Sequence, residues 1–129
     1  YQREDLTRAA FEKHGFAAAS LITDWARIVG LYGALAEITP SPIVELNRAV
    51  ALAMLFGPAA GLEVVDALAS EPALETYHLL PSVRGDLLDK LGRFDEASHE
   101  FERAASLTRN TRERALLLER AARARVLGS

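Results

Sequence analysis

The sequence predicts an all-α fold in which six to seven short helices form antiparallel hairpins. In almost every segment, apolar residues recur three and four positions apart, as they do on one face of an α-helix. No segment shows the period-two alternation and β-branched enrichment of a half-buried strand. Short stretches with Gly or Pro separate the helical segments, so consecutive helices are expected to run antiparallel. Residues 1–129 are therefore expected to form a single helical domain.

The first three helices are predicted from periodicity and from their start and stop signals. The first covers Arg3 to Ala19. The second starts at Thr23 or Asp24, since either side chain can cap free amide groups, and it ends before Pro40. The third, Pro42 to Phe56, is apolar around most of its circumference, which predicts a central, buried helix.

Four further helices are predicted after the Gly-Pro turn that follows the third. They cover Ala59 to Leu68, Val83 to Leu91, Asp95 to about Leu107, and Asn110 to about Leu127, with Asn110 as a cap. Pro81 is expected to break or kink the chain before the second of them.

Five residues between positions 85 and 104 resemble the 34-residue tetratricopeptide unit. Gly92 closes one helix, and Ala97, Phe101 and Ala104 share a face of the next, with Gly85 twelve positions before Ala97. A glycine inside a helix costs ~1 kcal/mol relative to alanine, so Gly85 indicates that a neighbouring helix passes too close for a side chain. The resemblance implies a right-handed, tetratricopeptide-like array of hairpins.

A shift of 36 residues brings a second, degenerate copy of this pattern into register. Small residues then meet small ones and apolar residues meet apolar ones. The aligned pairs are Arg84 with Arg48, Gly85 with Ala49, Ala97 with Gly61, and Phe101 with Val65.

Composition and spacing exclude several classes of function. The net charge of −3 argues against direct nucleic-acid binding, and no apolar run reaches the ~18 residues of a membrane span. No cysteine is present, and His14, His78 and His99 lie far apart without metal-ligand spacing. Neither a nucleophile elbow nor a phosphate-binding loop is present. We therefore expect a protein without catalytic activity, metal or cofactor, located in the cytoplasm since no signal peptide is recognisable.

Two polar residues, Asn47 and Arg48, lie on the most apolar of the predicted helices. A buried amide or guanidinium without a partner costs ~1–3 kcal/mol, so each is expected to be paired. Asp24, Glu45 and Asp86 are the candidate partners. A polar clamp that fixes this helix to its neighbours is the favoured interpretation, and ligand binding is the alternative.

Three more residues are candidates for structural or interaction roles. Trp25 and Tyr32 lie seven positions apart on one helix face, which favours core packing over an exposed docking surface. Arg84 would contribute, with Asn47 and Arg48, to a polar pocket if the chain were an enzyme.

The string PSPIVELNRAVA, at positions 40–51, resembles the signature of a subgroup of bacterial RNA polymerase sigma factors of the extracytoplasmic-function type, in their carboxy-terminal region. Further landmarks of that region occur in the same order along the chain, two before the string and the others after it. They are Thr23-Asp24-Trp25, Leu31-Tyr32, Gly57-Pro58, Gly61-Leu62, Tyr77-His78, Arg84, Asp86-Leu87-Leu88, Leu91-Gly92-Arg93, Glu96-Ala97, Glu113-Arg114 and Leu117.

The resemblance implies a regulatory carboxy-terminal domain that is tetratricopeptide-like and acts through protein contacts. Its partners would be the sigma-factor regions of the same full-length protein and, through those regions, which precede this segment, the RNA polymerase core. The alternative is a free-standing tetratricopeptide adaptor that binds a peptide or a small signal ligand.

Overall fold

The structure is a computed structural model that describes residues 19–38 and 41–129. Within these residues the fold is all-α, as the sequence predicts, with no strand. The helices are α1 (Ala19–Ile38), α2 (Pro42–Phe56), α3 (Pro58–Leu68), α4 (Leu79–Lys90), α5 (Phe94–Leu107) and α6 (Thr111–Leu127), with a 3-10 turn at Pro72–Leu74. The helix predicted from Arg3 lies outside the described residues. None of the described helices is long and apolar enough to cross a membrane.

The chain divides into two compact units, Tyr1–Leu68 and Ala69–Ser129. In the first unit α1 packs on α2, and α2 packs on α3. In the second unit α4 packs on α5, and α5 packs on α6. Within each unit, consecutive helices are joined by a short connection, which makes hairpins the repeated element of both units.

Two predicted helix starts are wrong. Thr23 and Asp24 lie inside α1, which is already helical at Ala19. Because Ala19 to Ile22 contain neither Gly nor Pro, nothing there stops the helix. Pro81 is the third residue of α4, which starts at Leu79 and not at Val83. The first four amides of a helix have no intrahelical acceptor, so a proline in the first turn removes no hydrogen bond.

The ends of the helices in the second unit are closed by local contacts. Gly92 has φ of 77°, and the Arg93 amide donates to the Leu88 carbonyl over 2.9 Å, as in a Schellman motif. Asn110 Oδ1 accepts from the Glu113 amide over 2.9 Å, which confirms Asn110 as the cap of α6. The predicted stop at Gly92 is also confirmed.

The α2 helix supplies much of the core of the first unit, as its apolar circumference predicts. Val44, Ala49 and Ala51 are completely buried. In the second unit the buried side chains come from all three helices, and Phe101 is the largest of them. Burial of this apolar surface is the main stabilising contribution to both units.

Candidate functional site

A close approach between two helices defines the α4–α5 hairpin. A Cβ atom built on Gly85 would lie 2.9 Å from Cδ1 and from Cε1 of Phe101. The sequence-based prediction that a neighbouring helix passes too close for a side chain at Gly85 is therefore confirmed. Because α4 and α5 approach closely at Gly85, the polar side chains near this residue on α4 can contact side chains of α5 and α6.

The α2–α3 hairpin has a close approach of the same kind. A Cβ atom on Gly61 would lie 2.6 Å from the Ala53 Cβ and 2.7 Å from the Ala49 carbonyl oxygen. Under the 36-residue shift Gly61 corresponds to Ala97, and Ala49 corresponds to Gly85. Each hairpin thus has one glycine and one alanine at the two aligned positions, with the glycine on the second helix in one hairpin and on the first helix in the other.

Asp86 is the centre of a charged network that joins the three helices of the second unit. Its carboxylate, whose side chain is 5% exposed, accepts from Arg120 Nη2 over 2.7 Å and also from Lys90 Nζ. The Arg120 guanidinium lies 4.4 Å from the centroid of the Phe101 ring, a cation–π contact. The network therefore fixes α6 to both helices of the α4–α5 hairpin.

Arg84 precedes Asp86 by two positions on α4, and its guanidinium faces the acidic side chains of α5. Its guanidinium is 3.4 Å from Glu100 Oε1 and 3.9 Å from Glu96 Oε2. Arg93 donates to both oxygens of Glu96, over 2.9 and 2.8 Å. The hydrogen bond from Arg93 lowers the pKa of Glu96 below its ordinary value. Burial opposes this shift, and the charges of Arg93 and Arg84 add to it.

Three further side chains make polar contacts that hold α6 against the rest of the second unit. Arg114 donates to the carbonyl oxygens of Ala105 and Thr108, over 3.1 and 2.7 Å, so it satisfies free carbonyl groups at the end of α5. The buried Ser98 hydroxyl donates to the Ala121 carbonyl over 3.0 Å. At the exposed end of α6, Arg125 forms an ion pair with Glu102 at 2.7 Å.

The first turn of α6 also meets the start of α4. His78 Nε2 lies 2.6 Å from Glu113 Oε1, an ion pair when the imidazole is protonated. The oxygen lies off the direction of the ring N–H, so the contact is not a well-directed hydrogen bond.

The predicted site residues of the first unit are arranged differently from the expected clamp. Asn47 is 2% exposed, and neither Oδ1 nor Nδ2 has a hydrogen-bond partner in the described part of the chain. Arg48 is half-buried and pairs with Glu45 at 3.4 Å, within its own helix. Asp24 is exposed on α1. Among the described residues, the expected clamp between helices is therefore absent at this point.

Trp25 and Tyr32 are both buried on α1, as the core-packing interpretation requires. Tyr32 also lines a small apolar cavity of about 210 Å³, together with Ile28, Leu31 and Leu35. The Trp25 indole Nε1 is buried without a hydrogen-bond acceptor among the described residues.

Two of the seven predicted site residues, Arg84 and Asp86, lie in the second unit, two positions apart on α4 and with different partners. The other five belong to the first unit. Sequence reasoning missed the contacts that Lys90, Arg114 and Arg120 make. Lys90 had a signal, because it follows Asp86 by four positions, a spacing that pairs charges on a helix. Within the described residues no group of three potential metal ligands converges.

Comparison with known proteins gives one informative similarity. The chain is 44% identical over 95 residues, 74% of its length, to an uncharacterized protein of Rhizobium meliloti (strain 1021). The chain spans 22% of the length of that relative. No protein-family profile matches the chain. No solved structure matches it either.

Proposed function

We propose that this chain is a regulatory protein-interaction domain of an alternative RNA polymerase sigma factor of the extracytoplasmic-function type. It acts in the cytoplasm by contact with other protein regions and carries out no chemical step. The observation that carries the proposal is the string LNRAVA on α2, at positions 46–51, which combines core residues with the polar pair Asn47 and Arg48.

Asn47 supports the proposal because its buried amide has no hydrogen-bond partner among the described residues, whereas Arg48 pairs with Glu45. A buried amide without a partner costs ~1–3 kcal/mol, and α2 includes one in its apolar interior. The Rhizobium relative supports the proposal in a second way, since it has a similar segment within a much longer chain. A domain of this kind would act beside other regions of the same protein.

The proposed mechanism is a shift between two states of the full-length protein. In one state the helical domain packs against the sigma regions and sets their availability to the polymerase core. In the other state those regions are released. A partner or signal changes the balance only if it binds the two states with different affinity.

The test is deletion of residues 1–129 from the full-length protein, followed by promoter-specific transcription in vitro with core polymerase. We expect a marked change in transcript yield, with the remaining sigma regions still folded by circular dichroism and still bound to core polymerase. Unchanged transcription from the shortened protein would sink the proposal. If the isolated chain then bound a defined peptide, the adaptor alternative would be favoured.

A further inference from the structure

The α6 helix is covered on one side only within its unit. Leu117, Ala121 and Ala124 are buried, and this side packs on α5. The rest of the helix surface carries four of the large apolar side chains that are most exposed among the described residues. They are Leu116 at 55%, Leu118 at 48%, Val126 at 73% and Leu127 at 51% exposure.

Comparison with α4 indicates what this open face is shaped to receive. A shift of 34 residues, the length of a tetratricopeptide unit, aligns Leu117 and Ala121 with the buried residues Val83 and Leu87 of α4. The same shift aligns Ala124 with the exposed Lys90. The same shift aligns the exposed positions 115, 119 and 122 of α6 with Pro81, Gly85 and Leu88. All three are buried in α4, where Gly85 contacts Phe101 of α5.

Positions 115 and 122 of the open face of α6 thus correspond to residues that are buried in α4, whereas positions 118 and 126 correspond to Arg84 and Gly92, which are not buried. Ala115, Leu118, Ala122 and Val126 follow one another at spacings of three, four and four residues, which places them on one stripe. Two alanines on this stripe leave room for a neighbouring helix to come close. The two larger side chains supply apolar surface for it.

The charge of α6 selects among the helices that could pack there. The helix contains five arginines and two glutamates. Arg112 and Arg123 are exposed beside the stripe and form no ion pair with any described residue. The exposed Glu119 lies between them and the stripe, and the two arginines outnumber it, so this flank keeps a net positive charge. Packing of α6 against α6 of a second copy would bring like charges together, which is unfavourable, whereas carboxylates on the incoming helix would be attracted.

We propose that the open face of α6 binds an amphipathic helix from a partner protein. The apolar side of that helix packs on Ala115, Leu118, Ala122 and Val126, and its flanks carry Asp or Glu that pair with Arg112 and Arg123. The bound helix lies against α6 in the way that α5 lies against α4. This inference goes beyond the proposed function and does not depend on it.

The experiment uses the 129-residue chain and two synthetic helical peptides of about 17 residues, the length of α6. Both peptides carry the same Leu/Ala stripe; one has Glu on its flanks and the other has Lys. Fluorescence anisotropy is expected to show that the Glu peptide binds about tenfold or more tightly than the Lys peptide, and that added salt reduces the difference.

Variants locate the binding to the open face. Leu118→Glu is expected to weaken binding of the Glu peptide by about tenfold or more, because a charge replaces apolar contact surface. The double variant Arg112→Glu, Arg123→Glu is expected to favour the Lys peptide instead. Leu31→Glu is the matched control: Leu31 is a leucine at 64% exposure on the other unit, and its variant should bind as the unaltered chain does.

Circular dichroism and thermal melts first establish that each variant folds, which the exposure of the altered positions favours. Equal binding of the two peptides, or full binding by the folded Leu118→Glu variant, would overturn the proposal. Sedimentation of the unaltered chain provides a second check. A dimer that the Leu118→Glu variant abolishes would assign the open face to a second copy and overturn the proposal as well.

Discussion

Gly85 of α4 lies directly against the ring of Phe101 of α5. A Cβ atom at position 85 would be 2.9 Å from two ring carbons and 3.3 Å from the Glu100 Cβ. The Phe101 side chain is almost completely buried, so the ring has little room to move aside in a densely packed interior. The contact therefore sets the separation of α4 and α5.

We expect Gly85→Ala to destabilise the second unit by up to about 2 kcal/mol. The added methyl group overpacks the helix contact at a cost of about 1–3 kcal/mol, and the higher helix propensity of alanine offsets ~1 kcal/mol of it. Urea denaturation followed by circular dichroism measures the change. Gly30→Ala is the control, since Gly30 is exposed on α1 with no atom within 4 Å of a built Cβ, and it should not destabilise. A Gly85→Ala variant as stable as the control would contradict the close packing.

The Asp86–Arg120 pair gives a second prediction. Asp86→Asn removes the charge that holds Arg120 and Lys90, and we expect a loss of about 1.5–3 kcal/mol, the range for hydrogen bonds to charged groups. Arg120→Met should cost less, because Lys90 still compensates the buried carboxylate. A double-mutant cycle of the two changes isolates the coupling. Strictly additive losses would show that Asp86 and Arg120 do not interact in solution.

Local signals in the sequence predicted much of this fold. Gly92 and Asn110 act within a few residues of their own position, so their roles at helix ends follow from backbone chemistry alone. Gly85 could be predicted because a glycine inside a helix needs a tertiary reason. Pro81 was misinterpreted because its effect depends on where the helix begins, which no nearby residue marks.

Long-range partners in the site could not be predicted in this way. Asp86 and Arg120 are 34 positions apart, and several other arginines were equally available in sequence. Arg48 pairs with Glu45, which was one of its three predicted partners, so the predicted clamp to a neighbouring helix does not form at Arg48. Residues three positions apart are neighbours on a helix surface. Such choices are made by the packing of helices, which the pattern of a single helix does not contain.

The helix caps Asn110 and Ser41 give a third prediction, because only one of them forms a side-chain hydrogen bond. Asn110 accepts a hydrogen bond from the Glu113 amide, whereas Ser41 occupies the cap position of α2 without a side-chain hydrogen bond. Asn110→Ala should therefore cost about 1 kcal/mol in chemical denaturation. Ser41→Ala should cost clearly less. Equal losses would mean that the cap at Asn110 does not form.

Glu96 gives a prediction about pH. Its pKa is lowered chiefly by the Arg93 hydrogen bond, so the stabilisation it contributes is present above the pKa of the unfolded chain. It is lost as the pH falls through the lower pKa of the folded state. Arg93→Met should raise the pKa of Glu96 towards its ordinary value, as measured by NMR titration of the carboxyl carbon. Arg103→Met is the control, because Arg103 faces Glu100, and an identical shift in both variants would rule out the specific hydrogen bond.

Substitutions at Asn47 distinguish a structural role of its buried amide from a functional one. Because neither side-chain atom has a partner among the described residues, Asn47→Leu replaces an unmet polar group by an apolar side chain of the same branching and larger volume. We expect the variant chain to be as stable as the original or up to about 2 kcal/mol more stable in urea denaturation. Asn47→Asp, which buries a charge at the same place, should be strongly destabilising and shows that the position is excluded from water. A loss of stability in Asn47→Leu would mean that the amide is paired in solution and fixes α2 to its neighbours. Unchanged stability together with altered transcription by the full-length protein would instead assign Asn47 to the regulatory contact.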